Sequence, residues 1–427
     1  MRILLVILST ILTSFYFFPF EFKFLPGINT KMILALLGLI ILGVKWGRSK
    51  YASIDKAFLV ISFCAALISL MSIASATFNH TNDYSFVGFI VSMWVWLGAA
   101  YCVVKWLAYI NTDISVESVI NLLVTVCVAQ CVIAYSMEVF PPIRQFVNGF
   151  LGGNEAAFGI AEGRLYGIGA ALDVAGFRFS AVLVMVAYLC VNKEGITKTR
   201  MFLYVMAFCL ISIIGNMISR STIVGLTISL VYWFVLPLIG GRLIYRGNRR
   251  DLFACFLSIL CVVLPIVIWL YNHNEIFQAN IRFGFEGFFS LAETGRWQVD
   301  SNDILFKHMI VFPETAKTWV IGDGYSANPY MDPYYVGEAF HGYYKGTDIG
   351  YLRFIFYFGI LGMLAYLLFI VMSCSVCIKG LNGYKMMFLM ILLVNLIAWT
   401  KVSTDLFPVF ALFVCLSMHF NVEQEQV

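Results

Sequence analysis

The chain has 427 residues, of which 61% are hydrophobic and 12% charged. Soluble domains carry roughly 25% charged residues, so this balance excludes a water-soluble globular protein and places the chain among integral membrane proteins. The formal net charge of +4 is too small to mark a nucleic-acid binder, and no nucleic acid is expected as a partner.

Apolar runs long enough to cross a hydrocarbon core of about 30 Å recur along most of the length. In chain order they predict about twelve spans, at 3–20, 32–46, 56–77, 86–109, 116–139, 171–191, 201–218, 221–238, 252–271, 349–371, 384–400 and 403–420. The first run ends in Phe17-Phe18-Pro19-Phe20 rather than in small residues, so it reads as a retained span with an aromatic belt and not as a cleaved signal. Cations collect after the second span (Lys45, Arg48, Lys50, Lys56), the sixth (Lys193, Lys198, Arg200), the eighth (Arg242, Arg246, Arg249, Arg250) and the tenth (Lys379, Lys385). All four loops share one parity, so that side is expected to be cytoplasmic, with both termini there.

The expected fold is all-α: a polytopic transmembrane helix bundle over 1–427, with two long segments on the outward side, 140–170 and 272–348. The second lies between spans 9 and 10. Long loops without structure of their own are uncommon and are usually functional. Helical patterns such as Trp297 to Met309 suggest that 272–348 forms a small cap over the bundle. The 11 cysteines sit almost wholly within the apolar runs, which predicts no disulfide framework and no zinc site. Cys374 and Cys377 form a CxxC at the end of an apolar helix, where small helix-packing residues are the plain reading. Asn79-His80-Thr81 matches a glycosylation sequon, a triplet that also arises by chance.

The signatures of soluble enzymes are absent: there is no P-loop, HExxH or GxSxG. What remains is a set of outward arginines. Arg220 sits in Asn216-Met217-Ile218-Ser219-Arg220-Ser221-Thr222, a polar break too short for a solvated loop. An ionisable group at the membrane boundary is costly and usually functional, although an interface arginine that snorkels is the alternative. Arg164 lies in Gly163-Arg164-Leu165-Tyr166-Gly167. Arg178 falls about two turns, roughly 11 Å, inside a helix that starts near 171, and a group that deep needs a partner. Asp173 is five residues from Arg178, a poor fit to one helix face, so an anion from elsewhere is expected; a buried structural pair is the alternative. In Glu293-Thr294-Gly295-Arg296-Trp297-Gln298, Arg296 offers a phosphate partner and Trp297 a face for a sugar. The plainer alternative is a helix start capped by Thr294, with Trp297 in the cap's own core. His341, Asp348 and Glu338 are each placed to take a proton from a sugar hydroxyl, and Tyr343 and Tyr344 add aromatic faces for sugars.

Arg164 before a Gly- and Asp-containing helix start, the Ser219-Arg220-Ser221-Thr222 break, Thr294-Gly295-Arg296-Trp297 and Gly322-Asp323-Gly324-Tyr325 occur in an order that resembles the O-antigen polymerase and ligase superfamily. So does Thr347-Asp348-Ile349-Gly350-Tyr351-Leu352-Arg353 running into Phe358-Gly359-Ile360-Leu361-Gly362. The resemblance covers about 140 to 370. It implies a multi-pass protein of the bacterial inner membrane, with the two long segments in the periplasm. It also implies a glycosyltransferase that needs neither metal nor cofactor and uses an undecaprenyl-diphosphate-linked oligosaccharide. A polymerase moves the growing glycan onto the next lipid-linked repeat. A ligase would move it to lipid A-core, and a lipid-linked oligosaccharide flippase is the transporter alternative. Membrane lipid and a chain-length regulator protein are the further partners implied. In this reading Arg164, Arg178, Arg220 and Arg296 hold the diphosphate, and Arg220, His341 and Asp348 are catalytic. Members often carry a histidine at or just before the Asp348 segment, whereas His341 stands seven residues earlier, so the base stays open between them.

Overall fold

The computed structural model describes residues 2–48, 55–111, 114–152, 164–235, 249–329, 335 and 342–424. His341 and Glu338 lie outside these, as do Lys50, Arg242 and Arg246. The helices are α1 (Arg2–Phe17), α2 (Thr30–Arg48), α3 (Lys56–Asn79), α4 (Phe89–Ile110), α5 (Val116–Val139), α6 (Pro141–Phe150), α7 (Leu172–Asn192), α8 (Lys198–Ile218) and α9 (Thr222–Leu230). They continue with α10 (Arg249–His273), α11 (Glu275–Gly284), α12 (Glu286–Thr294), α13 (Asp300–Ile304), α14 (Ala316–Val320), α15 (Gly350–Gly380), α16 (Lys385–Ala398) and α17 (Phe407–Gln424). Sheet among the described residues is limited to two antiparallel pairs, Glu21 with Gly152 and Phe22 with Leu151.

Each of the twelve predicted apolar runs carries a helix. Among the described residues eight helices, in α2, α3, α4, α5, α7, α8, α10 and α15, are long and apolar enough to cross a membrane. The apolar helices Ile3–Phe17, Thr222–Val235, Asn382–Ala398 and Phe407–Phe420 are shorter. The chain is thus all-α with the composition of a multi-pass membrane protein. α10 shows why water is the wrong solvent for it. Leu257, Leu260, Val262, Leu264, Ile266 and Ile268 are all exposed along it, a continuous apolar patch that a soluble monomer does not tolerate.

Helices begin where short polar side chains can take an orphan amide. Asp55 accepts from Ala57 N at 2.7 Å, Ser115 from Ser118 N at 3.1 Å, and Asn274 from Phe277 N at 2.9 Å. Pro141 opens α6 at a position where its missing N–H costs nothing. The sequence reading of Thr294 as a helix start is reversed: Thr294 ends α12, and Gly295 closes it with a left-handed φ of 69°.

Two compact units form, Met1–Leu34 with Val103–Trp297, and Ala35–Cys102 with Gln298–Val427. The division falls inside the 272–348 segment. In the first unit α7 is the axis, buried at every residue from Ala175 to Val191. Small residues let its neighbour approach: a Cβ on Gly225 of α9 would lie 2.2 Å from the Cα of Ser180. In the second unit α17 is buried from Phe407 through Leu416. The thiols of Cys374 and Cys377 sit 3.5 and 3.4 Å from the carbonyls of Phe388 and Phe410, which is packing.

α15 is broken inside the second unit. Phe358 has φ −134° and Gly359 has φ 70°. A break frees carbonyls that need donors. The Gly322-Asp323-Gly324 turn supplies them: Asp323 N donates to Phe356 O at 2.6 Å and Gly324 N to Tyr357 O at 3.0 Å. Gly322 and Gly324 both hold left-handed φ, and a Cβ on Gly322 would lie 2.5 Å from Tyr357 O. The sequon asparagine has a structural task here as well. Asn79 Nδ2 donates to Ser75 O at 2.8 Å and to Gly322 O at 3.1 Å, tying the end of α3 to the turn.

Candidate functional site

The polar break between α8 and α9 is built by opposed demands on three residues. Asp173, in the first turn of α7, accepts from Ser219 Oγ at 3.1 Å and from Ser221 Oγ. The two serines flanking Arg220 are thereby stapled to α7. Gly176 permits the approach, since a Cβ there would stand 2.6 Å from Ser219 Oγ. With both neighbours turned to α7, Arg220 points to α11 and α12. It pairs with Glu286, and its guanidinium carbon lies 4.4 Å from the centre of the Phe283 ring. The guanidinium of Arg164 lies 5.0 Å from the same ring. Two of the four predicted arginines, more than 50 residues apart in sequence, therefore meet on one aromatic side chain. The Arg220 side chain is 17% exposed, so its charge is largely withdrawn from water. A cation over a ring face in such a setting is held by the ring quadrupole as well as by its carboxylate.

Phe283 and Glu286 are placed by glycine packing. A Cβ on Gly284 would come within 3.0 Å of the Asn216 carbonyl carbon, so the end of α11 rests directly on α8. Next to Phe283, Arg282 donates to Tyr271 Oη and to Glu293, each at 2.9 Å. That hydrogen bond holds the Glu293 carboxyl below the usual carboxylate range. Arg282 thus serves as a surface clasp joining α10, α11 and α12.

Arg178 and Arg296 are elsewhere. Arg178 is buried, donates to the carbonyl of Phe17 and lies 5.8 and 5.9 Å from the rings of Phe17 and Phe18. Phe17 ends α1, and a cation at a helix C-terminus satisfies an orphan carbonyl and the dipole together. That contact gives Arg178 a partner within the chain at its depth, while Asp173, five residues before it, accepts from Ser219 and Ser221. The Arg296 side chain is exposed just beyond α12. Trp297 folds back on α12, its ring 5.0 Å from that of Phe288 and against Gly287, and stays 54% exposed.

The remaining predicted residues belong to the second unit. His341 lies outside the described residues. Asp348 stands 3.9 Å from Arg353, whose Nη2 donates to Ser326 Oγ at 3.4 Å. The Tyr343 ring covers that guanidinium at 3.5 Å. Tyr344 is buried, with its ring against Tyr325, Tyr335 and Phe356, so its faces are already covered and it is no open platform for a sugar. Burial, reinforced by Asp323, pushes its phenol well above the ordinary tyrosine range.

Sequence reasoning missed Phe283 and Glu286, and it gave no role to Arg353, the last residue of the Thr347–Arg353 motif. Glu286 lies 66 residues from Arg220, and nothing in local spacing pairs them. Arg353 falls four residues into α15, inside an apolar run, where a lone cation is a signal in itself. Comparison with known protein families, with curated proteins and with solved structures yields no match for the chain.

Proposed function

We propose that this protein is a membrane glycosyltransferase that polymerises a bacterial surface polysaccharide, moving the growing glycan from undecaprenyl diphosphate to the next lipid-linked repeat. The observation that carries this reading is the meeting of Arg164 and Arg220 at Phe283, with Arg220 mostly shielded from water. In the reaction a hydroxyl oxygen of the acceptor sugar attacks the anomeric carbon of the donor. The bond from that carbon to the phosphate oxygen breaks, the diphosphate leaves with the electron pair, and the hydroxyl proton passes to a base. Charge builds on the diphosphate, and that is where fixed guanidinium groups act. They stay cationic at any working pH and grip phosphate oxygens in pairs. Glu286 holds Arg220 in place until the diphosphate takes over that contact. His341 and Asp348 remain the candidates for the base.

The topology that goes with this function counts all twelve apolar helices as spans, with both termini in the cytoplasm and the arginines at the periplasmic boundary. A reporter fused after residue 310 is expected to read periplasmic, and one fused at Arg249 cytoplasmic. Both fusions reading the same side would remove the site from the face where lipid-linked repeats are presented.

Deleting the gene tests the activity. Loss of a polymerase leaves surface lipopolysaccharide bearing a single repeat, because transfer of one unit to the core proceeds through a separate enzyme. Complete loss of repeats would point to a ligase or a flippase, and an unchanged ladder would sink the proposal.

A further inference from the structure

A cavity lies within the second unit. It measures about 290 Å³ and is lined by Phe312, Glu314, Lys317, Asp323, Lys345 and Phe356, among others. That volume sits at the lower edge of the roughly 300–1,000 Å³ range of small-molecule sites, so its ligand is about one ring in size. Its polar groups are fixed in advance. Asp323, seated by the left-handed glycines on either side, accepts from Lys317 Nζ at 2.7 Å, Thr318 Oγ1 at 2.7 Å and Tyr344 Oη at 3.3 Å. Lys317 Nζ also donates to Asn79 Oδ1 at 2.6 Å, yet its side chain remains 41% exposed.

At the rim Phe312 is 61% exposed. It is braced from behind by Trp319, nearly parallel at 16° with ring centres 6.4 Å apart. The indole is itself locked by a 2.9 Å bond from Nε1 to Pro313 O. A large exposed ring held rigid in this way is wasted on water but suits the C–H face of a pyranose. The charges of the lining decide between ligand classes. Glu314 and Asp323 oppose Lys317 and Lys345, so a phosphate entering the cavity meets as many carboxylates as ammonium groups. Sugar hydroxyls, each both donor and acceptor, match such a mixed lining.

We infer that this cavity is a sugar subsite, which takes one neutral pyranose of the glycan with its C–H face on Phe312 and its hydroxyls on Asp323 and Lys317. The inference rests on the polysaccharide reading for the source of the sugar, and its test is one of binding, so that the two can fail separately.

The full-length protein in lipid nanodiscs is titrated with oligosaccharides released by mild acid from the host strain's own surface polysaccharide, with saturation-transfer NMR as readout. Wild-type protein is expected to bind them, and Phe312→Ala, a change at an exposed position that leaves folding intact, to bind about five- to tenfold more weakly, the size of one lost aromatic face. Glu314→Gln, which unbalances the lining without touching Asp323, serves as a second variant and is expected to weaken binding as well. Arg220→Ala is expected to bind the free oligosaccharide as wild type does. Undiminished binding by both Phe312→Ala and Glu314→Gln, no binding by wild type, or displacement by inorganic pyrophosphate would each overturn the subsite. Phe312-dependent binding in a protein whose deletion leaves the polysaccharide ladder unchanged would keep the subsite and discard the polymerase.

Discussion

Arg220→Ala is expected to abolish long polysaccharide chains while the protein accumulates in the membrane at its normal level, and Arg220→Lys is expected to be nearly as impaired. The reason lies in how the guanidinium is used. It pairs with Glu286 and spreads over Phe283 at once. A planar fork can do both and can then offer two parallel donors to a diphosphate; an ammonium on a flexible stem keeps the charge and loses the geometry. Removing one directed donor from a developing anion costs about 3–4 kcal/mol, roughly a hundred- to a thousand-fold in rate. Abundance should hold because the bonds from Ser219 and Ser221 to Asp173, which shape the break, remain when Arg220 is replaced. Arg178→Ala is the contrast. It removes a donor to the end of α1 from the interior, so its effect should appear as loss of protein. The measurement is a chain-length ladder from a deletion strain carrying each variant, with membrane levels read by blot. A wild-type ladder from Arg220→Ala at equal abundance would take Arg220 out of the reaction, and full function from Arg220→Lys would reduce it to an interface charge.

The placement of the helices was readable because apolar runs and their polar breaks report directly on solvent. α5 runs from 116 to 139 as its hydrophobicity demands, and α7 begins at Leu172, one residue from the expected start. The break at Arg220 was readable for the same reason, since three polar residues between two apolar runs must be accounted for. What local pattern cannot carry is partner choice. Arg178, two turns inside an apolar run, and Arg220, in a break between two such runs, are both cations that local sequence says must find a partner, without saying which. One reaches the carbonyl of Phe17, 161 positions away, and the other reaches Glu286, 66 positions away. The difference between a structural arginine and a candidate catalytic one therefore lies in tertiary contacts. Tyr344 teaches the same lesson from the other direction: an aromatic in a polar segment looks available until the ring cluster around it is seen. Thr294 left its place open because a threonine before a glycine fits either end of a helix, and the left-handed φ of Gly295 shows which end it is.

Gly359→Ala is expected to destroy the second unit's packing, although it adds only a methyl group. Gly359 holds φ 70° and ψ −174° in the middle of α15, a region essentially reserved for glycine, where other residues pay about 1–3 kcal/mol. Space is the larger obstacle: the new Cβ would lie 2.1 Å from Val320 O and 2.5 Å from Ile321 N, backbone atoms that cannot swing aside. Relief requires α14 to withdraw from α15 or α15 to straighten. Straightening returns the Phe356 and Tyr357 carbonyls to the helix and strips the Asp323 and Gly324 amides of their acceptors, each an uncompensated buried group worth about 1–3 kcal/mol. Together these effects reach the range of about 4–5 kcal/mol that marks a severe substitution. The matched control is Gly43→Ala on α2, where nothing lies within 4 Å of the added Cβ and the exchange removes glycine from a helix interior, a gain of up to about 1 kcal/mol. Both variants are made as fluorescent fusions, extracted in mild detergent and heated before size-exclusion chromatography. Gly43→Ala should melt at or slightly above the wild-type temperature, while Gly359→Ala should give little monodisperse protein even unheated. A Gly359→Ala protein that melts with the wild type would mean that α15 runs unbroken and that the Gly322-Asp323-Gly324 turn has some other anchor.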